Sequence, residues 1–261
     1  MPEDITFNQP IIKYQNGAFI DQSDNIATEF PLTLYINQQE FATIVCSPTH
    51  LEELVLGFLA SEGVIFRQGD IQNIHLDDSK GFCHITLNRE IEQHSGQYTK
   101  RMISSCCGKS RQFYFVNDAA TSKVSMTETK ITAAEIFSMM AALQEQSTDF
   151  KQTGGLHNAA ISDGKNFYIH RSDIGRHNAL DKLFGYCIKQ RIPIRDKVLI
   201  FSGRISSEIL IKASKIGVGI ILSKSAPTDL AIKLADDLNI TAVGFIRNES
   251  FNIYSHPERI I

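Results

Sequence analysis

The chain of 261 residues lacks the segments that would send a protein into or across a membrane. Its first ten residues, MPEDITFNQP, contain no basic stretch followed by an apolar one, so we expect no secretory signal. No apolar run approaches the ~18 residues that a membrane-spanning helix requires. The five cysteines are an odd number without the spacing of a disulfide framework, which is typical of a reducing compartment. The sequence therefore predicts a cytoplasmic protein.

An excess of one charge sign is also missing, because 26 Lys and Arg residues stand against 29 Asp and Glu residues, for a formal net charge of −3. No global positive field would attract nucleic acid or a membrane surface, so any polyanion has to be held by a local site. The sequence contains no internal repeat and no low-complexity segment. A chain of this length buries about 70–75% of its unfolded surface and needs neither disulfides nor a metal ion to fold.

The second half of the sequence alternates short apolar runs with helical segments. The runs VLIFSG, GIILSKS and ITAVGFIR are nearly continuous in apolar residues, and a helical pattern separates each from the next. This alternation indicates a parallel sheet covered on both faces. We therefore predict an α/β domain over residues 120–261, preceded by a smaller α+β part over residues 1–119.

Turn signals predict two hairpins. β-rich runs surround the polar NQQ within residues 28–47, and a second hairpin is expected to turn at Asp163-Gly164. Residues 88–105 are polar and weakly patterned. We interpret them as a loop that leads into the cysteine pair at residues 106 and 107.

Capping signals predict two helices outside the parallel sheet. A helix over residues 47–63 is expected to begin with Ser47 as its N-cap. A helix over residues 132–147 is expected to begin with a capping box of Thr132 and Glu135. Its apolar residues recur at helical spacing, which indicates one buried face.

Polar and cationic residues follow each of the three predicted parallel strands. Open α/β sheets bind ligands beyond the carboxyl ends of their strands, and Ser206 opens a helix whose N-terminus favours an anion. The sequence predicts an anion-binding site there, although surface ion pairs are the alternative for the arginines. The residues at these strand ends include Ser202, Gly203, Arg204, Ser223, Lys224, Arg247 and Ser250.

Two His-Asn pairs lie beside glycine-containing turns, one at His157 in TGGLHNAAI and one at His177 in DIGRHNALDK. The Gly154-Gly155 pair would let the backbone approach a ligand closely. Asp173 is suited to fix the tautomer of a histidine. Both histidines are candidate ligand-binding residues, and a purely structural role for each is the alternative.

Cys106 and Cys107 are adjacent in a polar, basic stretch. Neighbouring Cα atoms lie ~3.8 Å apart, less than the ~4.4–6.8 Å that an ordinary disulfide spans, so a bond between them would be strained. Nearby cations would lower the pKa of a thiol and raise its thiolate fraction. We interpret the pair as a source of a reactive thiolate. The nearby cations are Lys100, Arg101, Lys109 and Arg111.

The remaining cysteines and the candidate zinc motif predict no chemistry. Cys46, Cys83 and Cys187 lie in strand or helix patterns, where cysteine behaves as a small apolar residue. His50 and Glu52 match the H-x-E of zinc-dependent nucleobase deaminases, but the P-C-x-x-C partner motif of those enzymes is missing. We therefore expect no metal site, and a zinc deaminase is the least favoured alternative.

Seven motifs spread over residues 25–256 together resemble the formate dehydrogenase accessory sulfurtransferases, the FdhD family. The resemblance implies a cytidine-deaminase-like α/β/α sandwich without zinc. It also implies that the protein accepts persulfide sulfur from a cysteine desulfurase and transfers it to the molybdenum cofactor, a bis-molybdopterin guanine dinucleotide, for formate dehydrogenase. The motifs are TEFPLT, LEELVLGFLASEG, TGGLHNAAI, DIGRHNALDK, SGRISSEILIKASKIG, SKSAPTDLAIKLA and VGFIRNESFNIYS.

The resemblance assigns roles to two segments. The family usually carries the sulfur on the first cysteine of a C-x-x-C motif, whereas here the two cysteines are adjacent, which leaves the carrier open between Cys106 and Cys107. We favour Cys107, because it adjoins Gly108 and Lys109. A non-catalytic cofactor-binding chaperone is the alternative function, and a homodimer is a further expectation. The cofactor-binding segment corresponds to Phe245, Ile246, Arg247, Asn248, Glu249 and Ser250.

Overall fold

The computed structural model describes residues 4–89, 101–103, 122–147, 153–247 and 249–261. The cysteine pair Cys106 and Cys107, and Asn248 of the predicted cofactor segment, lie outside these ranges. The strands are β1 Thr6–Gln15, β2 Ala18–Ala27, β3 Phe30–Ile36, β4 Gln39–Cys46, β5 Ile71–Asp77, β6 Phe82–Leu87, β7 Arg101–Ile103, β8 His157–Ser162, β9 Phe167–Asp173, β10 Val198–Phe201, β11 Ile220–Ser223, β12 Thr241–Arg247 and β13 Ser250–Ser255. The helices are α1 Leu51–Ser61, α2 Ala133–Gln146, α3 Arg176–Gln190, α4 Ser207–Ile216 and α5 Asp229–Asp237.

A six-stranded mixed sheet forms the larger part of the molecule, with the strand order β13-β12-β11-β10-β8-β9. Strands β10, β11 and β12 are parallel, as the alternation of apolar runs and helices predicts. Strands β8, β9 and β13 extend this core in antiparallel fashion. The predicted α/β class is confirmed, and the predicted hairpin at Asp163-Gly164 joins β8 to β9.

Apolar side chains of this sheet alternate between two cores. Leu199 and Phe201 of β10 point to the face covered by α3, α4 and α5. Val198 and Ile200 point to the opposite face, which α2 covers. Helix α2 begins at the predicted capping box, where the Thr132 hydroxyl accepts a hydrogen bond from the Glu135 N–H. Both faces of the sheet are therefore buried, which explains the nearly continuous apolar runs in the sequence.

A five-stranded sheet with the order β5-β6-β3-β4-β7 forms the smaller part and packs on α1. The predicted hairpin of residues 28–47 is confirmed as β3 and β4. The interpretation of residues 88–105 as loop throughout is wrong for β7, which pairs in parallel with β4 over three residues. A three-residue edge strand is too short to show a periodic pattern. The proposed boundary between residues 119 and 120 falls outside the described ranges and stays a prediction.

The predicted N-cap of α1 is wrong, because the helix begins at Leu51 with His50 as its N-cap in the left-handed conformation. Ser47 has other partners: its hydroxyl accepts a hydrogen bond from the N–H of Ile174 at 3.1 Å, and its own N–H donates to Asp173 Oδ2 at 3.0 Å. Ser47 has the chemistry of a helix N-cap, but its hydrogen bonds join the smaller part of the chain to the larger one.

Strands β1 and β2 form a separate two-stranded hairpin, which the sequence reasoning missed. Most of its side chains are exposed, including Phe7, Ile12 and Phe19. The polar residues scattered along both strands hide the alternation that marks a half-buried strand. No helix in the described part of the chain is long and apolar enough to span a membrane.

Helices α1 and α3 cross at two glycines and thereby join the two parts of the chain. A Cβ atom on Gly57 would overlap the carbonyl oxygen of Asp181, and a Cβ atom on Gly185 would overlap that of Glu53. Only glycine allows the two backbones to approach so closely. The crossing therefore fixes the smaller sheet against the larger one.

Two buried ion pairs lie beside this crossing. Lys182 Nζ is 2.6 Å from Asp173 Oδ2, and both side chains are fully buried. Lys182 also donates to the carbonyl oxygen of Ser47 at 3.2 Å. Asp181 pairs with Lys212 and accepts a hydrogen bond from the Ser61 hydroxyl at 2.7 Å. Because each buried charge has an opposite partner and hydrogen bonds, the desolvation of these groups is offset.

We expect Gly57→Ala and Gly185→Ala each to destabilise the protein by about 1–3 kcal/mol, because the added methyl group must push two helix backbones apart. Helix propensity alone predicts the opposite result, because alanine is favoured over glycine by up to ~1 kcal/mol in a helix interior. A loss of stability would therefore report the close contact between the helices. Urea unfolding of the two variants measures the change in the free energy of unfolding.

Gly69→Ala is the control, because a Cβ atom at Gly69 has no heavy atom within 4 Å. Its stability should stay within about 0.5 kcal/mol of the parent. Unchanged or increased stability of both helix variants would show that the crossing is not close-packed.

Candidate functional site

A cavity of about 750 Å³ lies beyond the carboxyl ends of β10, β11 and β12. We call it the strand-end cavity. It brings together seven residues that the sequence singles out, from four separate segments of the chain. These residues are His157, Ser202, Gly203, Arg204, Lys224, Phe245 and Arg247.

The two loops after β10 and β11 are held together by short hydrogen bonds. The Ser223 hydroxyl donates to the carbonyl oxygen of Gly203 at 2.7 Å, and the N–H of Ser225 donates to the Ser223 hydroxyl at 2.9 Å. The N–H of Asn158 donates to the Ser202 hydroxyl at 2.9 Å, and the N–H of Ser202 donates to the carbonyl oxygen of Asn158 at 2.9 Å. The cavity wall is therefore fixed by the protein's own polar groups.

Gly203 allows this wall to form beside two rings. A Cβ atom at Gly203 would lie 2.9 Å from the ring of Phe201 and 3.3 Å from Nδ1 of His157. The first distance is too short for a carbon contact, so a side chain here would displace the rings. Gly203 thus keeps the cavity open next to His157.

The strand-end cavity is cationic. Arg204, Lys224 and Arg247 line it and are exposed, and none of its described lining residues carries a carboxylate. Lys224 Nζ lies 3.5 Å from Oε1 of Gln144, and the Arg247 guanidinium stacks over the ring of Phe245 at 5.4 Å from its centroid. Three cations without an opposing carboxylate favour an anionic ligand.

The backbone of Phe245 is strained. Its φ of 54° places a bulky residue in the left-handed region, where β12 departs from regular pairing between Gly244 and Arg247. Its N–H donates to the carbonyl oxygen of Ser225 at 3.3 Å. Aromatic residues rarely adopt this conformation, and such strain is concentrated at functional sites. Here it directs an aromatic ring and Arg247 to the same cavity.

Ile246, Glu249 and Ser250 of the predicted cofactor segment do not line the cavity. Ile246 is 1% exposed and packs in the core beneath α2. Glu249, with a φ of 59°, lies in the exposed turn between β12 and β13, and Ser250 is the exposed first residue of β13. The Ser250 hydroxyl donates to the carbonyl oxygen of Arg247 at 2.9 Å, which holds the turn that presents Arg247.

The two predicted histidines occupy different places. His157 lines the cavity, where burial lowers the pKa of its imidazole and Arg176 lowers it further. His177 is not among the residues that line it; its Nε2 atom lies 2.9 Å from Oε2 of Glu208. Burial lowers the pKa of His177, and the nearby Glu208 carboxylate opposes this effect.

Asp173 and the H-x-E motif also have structural surroundings. The Asp173 carboxylate is bound by Lys182, by the Asn178 side chain and by two backbone N–H groups. Glu52 pairs with Lys189 at 2.8 Å, and His50 Nδ1 lies 3.9 Å from Glu53. Within the described ranges, no three His, Cys, Asp or Glu side chains are grouped as metal ligands.

One wall of the cavity escaped the sequence reasoning. The last turns of α2 contribute Met140, Leu143 and Gln144, and Ser147 follows directly after the helix. The helical spacing of Ile136, Met139, Met140 and Leu143 correctly predicts a buried face, but it does not show that the end of this face borders a cavity. Asn158 was also missed as a lining residue, although it belongs to the HNAAI motif; its Oδ1 atom accepts a hydrogen bond from the Ser172 hydroxyl at 2.6 Å.

The three cysteines outside the predicted reactive pair are buried. Burial raises the pKa of Cys83 and of Cys187 to about 12, and it also raises the pKa of Cys46. These thiols stay protonated at neutral pH and are poor nucleophiles. The sequence-based assignment of chemistry to Cys106 and Cys107 concerns residues beyond the described ranges and stays a prediction.

The chain has relatives along its whole length. Residues 27–261 match the model of the FdhD/NarQ family. Over 261 residues the chain is 62% identical to the sulfur carrier protein FdhD of Staphylococcus aureus strain JH9, covering 100% of this chain and 98% of that protein, and the protein of strain Newman gives the same figures. A crystal structure described as a formate dehydrogenase accessory protein from Desulfotalea psychrophila has a TM-score of 0.79 and 23% identity, covering 98% and 100% of the two chains. At that identity the likeness concerns the fold.

We expect the free energy of unfolding to fall as the pH decreases from about 6.5 to 5. His50, His157 and His177 all have a lowered pKa in the folded protein, with burial as the largest cause. The unfolded chain, whose histidines titrate near 6.5, therefore binds more protons in this window, and stability is lost as the pH falls. Urea unfolding at four pH values measures the slope.

A His157→Gln, His177→Gln double variant should reduce that slope, because two of the three groups are removed. Carboxylates contribute mainly below pH ~4.5 and do not interfere. A stability that is flat or increases towards pH 5 would contradict the assignment of buried neutral histidines.

Proposed function

The chain belongs to the FdhD/NarQ family, and we propose that it is a sulfurtransferase that accepts persulfide sulfur from a cysteine desulfurase and transfers it to the molybdenum cofactor of formate dehydrogenase. The observation that carries this proposal is the cationic strand-end cavity in a chain 62% identical to proteins named sulfur carriers. The cavity supplies an anion-binding site, and the names of the relatives supply the chemistry.

Sulfur acceptance is assigned to Cys106 or Cys107. The thiolate attacks the outer sulfur of the donor persulfide, the donor S–S bond breaks, and the donor leaves as a thiolate while the carrier becomes Cys–S–SH. One sulfur atom moves and no net oxidation occurs. Release of that sulfur as sulfide takes two electrons, which an external thiol would supply as it attacks the carrier sulfur and forms a mixed disulfide with it.

The strand-end cavity is the proposed site for the acceptor. The guanine dinucleotide form of the cofactor carries pyrophosphates, which Arg204, Lys224 and Arg247 would bind through charge-assisted hydrogen bonds. The ring of Phe245 and the apolar end of α2 form a wall against which a planar ring system packs. The cavity volume of about 750 Å³ suits a nucleotide-sized portion of the ligand.

A cofactor-binding chaperone is the second candidate function. The described residues that line the strand-end cavity include no cysteine, and the cations and the aromatic ring there need none to bind an anion. A chaperone would therefore keep its nucleotide affinity and its cellular role after both cysteines are replaced. Restoration of formate dehydrogenase activity by a Cys106→Ala, Cys107→Ala double variant would favour it.

We expect the intact protein to gain ~32 Da, one sulfur atom, after incubation with a cysteine desulfurase and cysteine, and to lose it on treatment with dithiothreitol. Replacement of the carrier cysteine should abolish the adduct, because the buried thiols cannot attack. Mass spectrometry of Cys106→Ala and Cys107→Ala identifies which residue carries the sulfur.

Cys83→Ala is the matched control, because Cys83 is fully buried and its thiol has a raised pKa. It should retain the adduct. An adduct that persists in the Cys106→Ala, Cys107→Ala double variant would exclude the proposed carriers.

We also expect guanosine diphosphate to bind the strand-end cavity. Arg247→Ala and Lys224→Ala should each weaken binding by about 10–100-fold, the loss of one charge-assisted hydrogen bond of ~1.5–3 kcal/mol. Isothermal titration calorimetry measures the dissociation constants. Lys233→Ala, on the exposed face of α5, removes the same charge away from the cavity and should leave the affinity unchanged. Equal affinity in all three variants would place the nucleotide elsewhere.

A further inference from the structure

A second cavity, of about 970 Å³, lies at the opposite end of the parallel strands. We call it the strand-start cavity. Its lining includes Arg195, shortly before β10, and Val218, shortly before β11, so it borders the amino ends of both strands. Phe66 and Arg67 of the smaller part complete it. None of its lining residues has a role in the function proposed above.

The rim of the strand-start cavity is apolar and exposed. Phe66 is 70% exposed, Val124 is 56% exposed and Met126 is 66% exposed, and all three line this one cavity. Its floor continues into the core through buried residues such as Cys187 and Val218. Exposed large apolar side chains clustered around a concave surface mark an interaction site, and Phe, Met and Arg are enriched in the cores of protein interfaces.

The same rim carries four cations, Arg67, Lys123, Arg191 and Arg195, and no carboxylate lies among the described lining residues. All four are exposed, in a protein whose net charge is −3. This concentration of positive charge is therefore local and is not a property of the whole surface. It favours a ligand that brings carboxylates.

Of the acidic residues nearest along the chain, Asp70 offsets the charge of the rim cation Arg67, whereas Asp196 is engaged away from the rim. Asp70 accepts hydrogen bonds from the backbone N–H groups of Phe66 and Arg67 and pairs with the Arg67 side chain at 3.3 Å. Asp196 pairs with Lys197 at 2.7 Å. The Arg195 guanidinium donates to the carbonyl oxygen of Met126 at 2.8 and 3.1 Å, a neutral partner that fixes the rim and leaves the charge in place.

The shape of the rim favours a polypeptide over a small anion. A phosphate or carboxylate alone would satisfy the cations but would leave Phe66, Val124 and Met126 in water. A protein segment in which acidic side chains flank an apolar one covers both kinds of surface. The rim segment beginning at Lys123 also follows Cys107 by 16 residues along the chain.

We propose that the strand-start cavity is the docking site of the protein that donates the persulfide, and that it binds a segment of that partner in which carboxylates flank an apolar side chain. The proposal rests on the proposed function, since a carrier that takes sulfur from one protein and delivers it to a bound cofactor needs two separate surfaces. The strand-end cavity serves the acceptor, and the strand-start cavity serves the donor.

The test compares two sulfur donors on a Lys123→Glu, Arg191→Glu variant. With a cysteine desulfurase and cysteine, the initial rate of persulfide formation should fall by about tenfold or more at low salt, because charge reversal repels an acidic partner. With inorganic polysulfide, a donor that needs no docking, the rate should equal that of the parent protein. Added salt should slow the parent with the desulfurase much more than it slows the variant.

Lys165→Glu, Lys233→Glu is the matched control, because it reverses two exposed lysines that line neither cavity and gives the same change in net charge. Its rates with both donors should match the parent. A Met126→Ser variant tests the apolar rim without a change of charge and should also slow only the desulfurase reaction. Thermal unfolding of each variant verifies that it is folded.

An unchanged rate with the desulfurase in the Lys123→Glu, Arg191→Glu variant would overturn the proposal, as would an equal loss with both donors. Binding of inorganic phosphate is measured for the parent and for this variant. If only the parent binds phosphate and the variant keeps a normal rate with the desulfurase, the proposal is overturned and the cavity is a small-anion site. Failure of the proposed function has a different signature, because the parent protein itself would then take up no sulfur from either donor.

Discussion

The close contact of α1 with α3 is the interaction on which the rest of the structure depends. Two glycines, Gly57 and Gly185, remove the side chains that would separate the helix backbones. The buried pairs Asp173–Lys182 and Asp181–Lys212 then lie where the two parts of the chain meet. Loss of one partner of such a pair typically destabilises a protein by about 3–5 kcal/mol, because the other charge is left buried. The joint therefore combines close packing with a demand for exact charge pairing.

This joint explains why a motif that contains a predicted ligand-binding histidine has a structural role. DIGRHNALDK supplies Asp173, Asp181 and Lys182, all buried at the junction. The motif also contains His177, a predicted ligand-binding residue. The Asp173 carboxylate nevertheless binds Lys182 and two backbone N–H groups. The Asp181 carboxylate binds Lys212 and the Ser61 hydroxyl. A dense set of ionisable residues is equally suited to an internal ion-pair network, and sequence alone does not separate the two uses.

The parallel sheet was predictable because its physical signal is local. Three short, nearly continuous apolar runs alternate with helical segments, the pattern of parallel strands that are buried on both faces. The strand-end residues Arg204, Lys224 and Arg247 could be predicted for the same reason, since parallel strands place their carboxyl ends at one edge. The strain at Phe245 and the α2 wall could not, because both arise from contacts between distant segments.

The predictions that were wrong or missing concern elements that depend on contacts between distant segments. Ser47 has the chemistry of an N-cap, and only the three-dimensional position of Asp173 and Ile174 gives it other partners. The β1–β2 hairpin carries polar and apolar residues on both faces, so the sequence shows no periodic pattern that predicts these strands. Strand β7 is only three residues long and depends on β4 for its pairing. In each case a tertiary contact decides between local alternatives.

The crossing of α1 and α3 also means that α1 is synthesised well before the segments it packs against. Helix α1 ends at Ser61, whereas its partners lie on α3 and at Lys215, which donates to the Ser61 carbonyl oxygen and lies about 150 residues later in the chain. At about 5–20 residues per second, a ribosome needs roughly 8–30 s to supply them. During that interval the glycine face of α1 and the Ser61 hydroxyl have no partner from the larger part. The nascent smaller part is therefore a candidate for chaperone binding until the second half of the chain emerges.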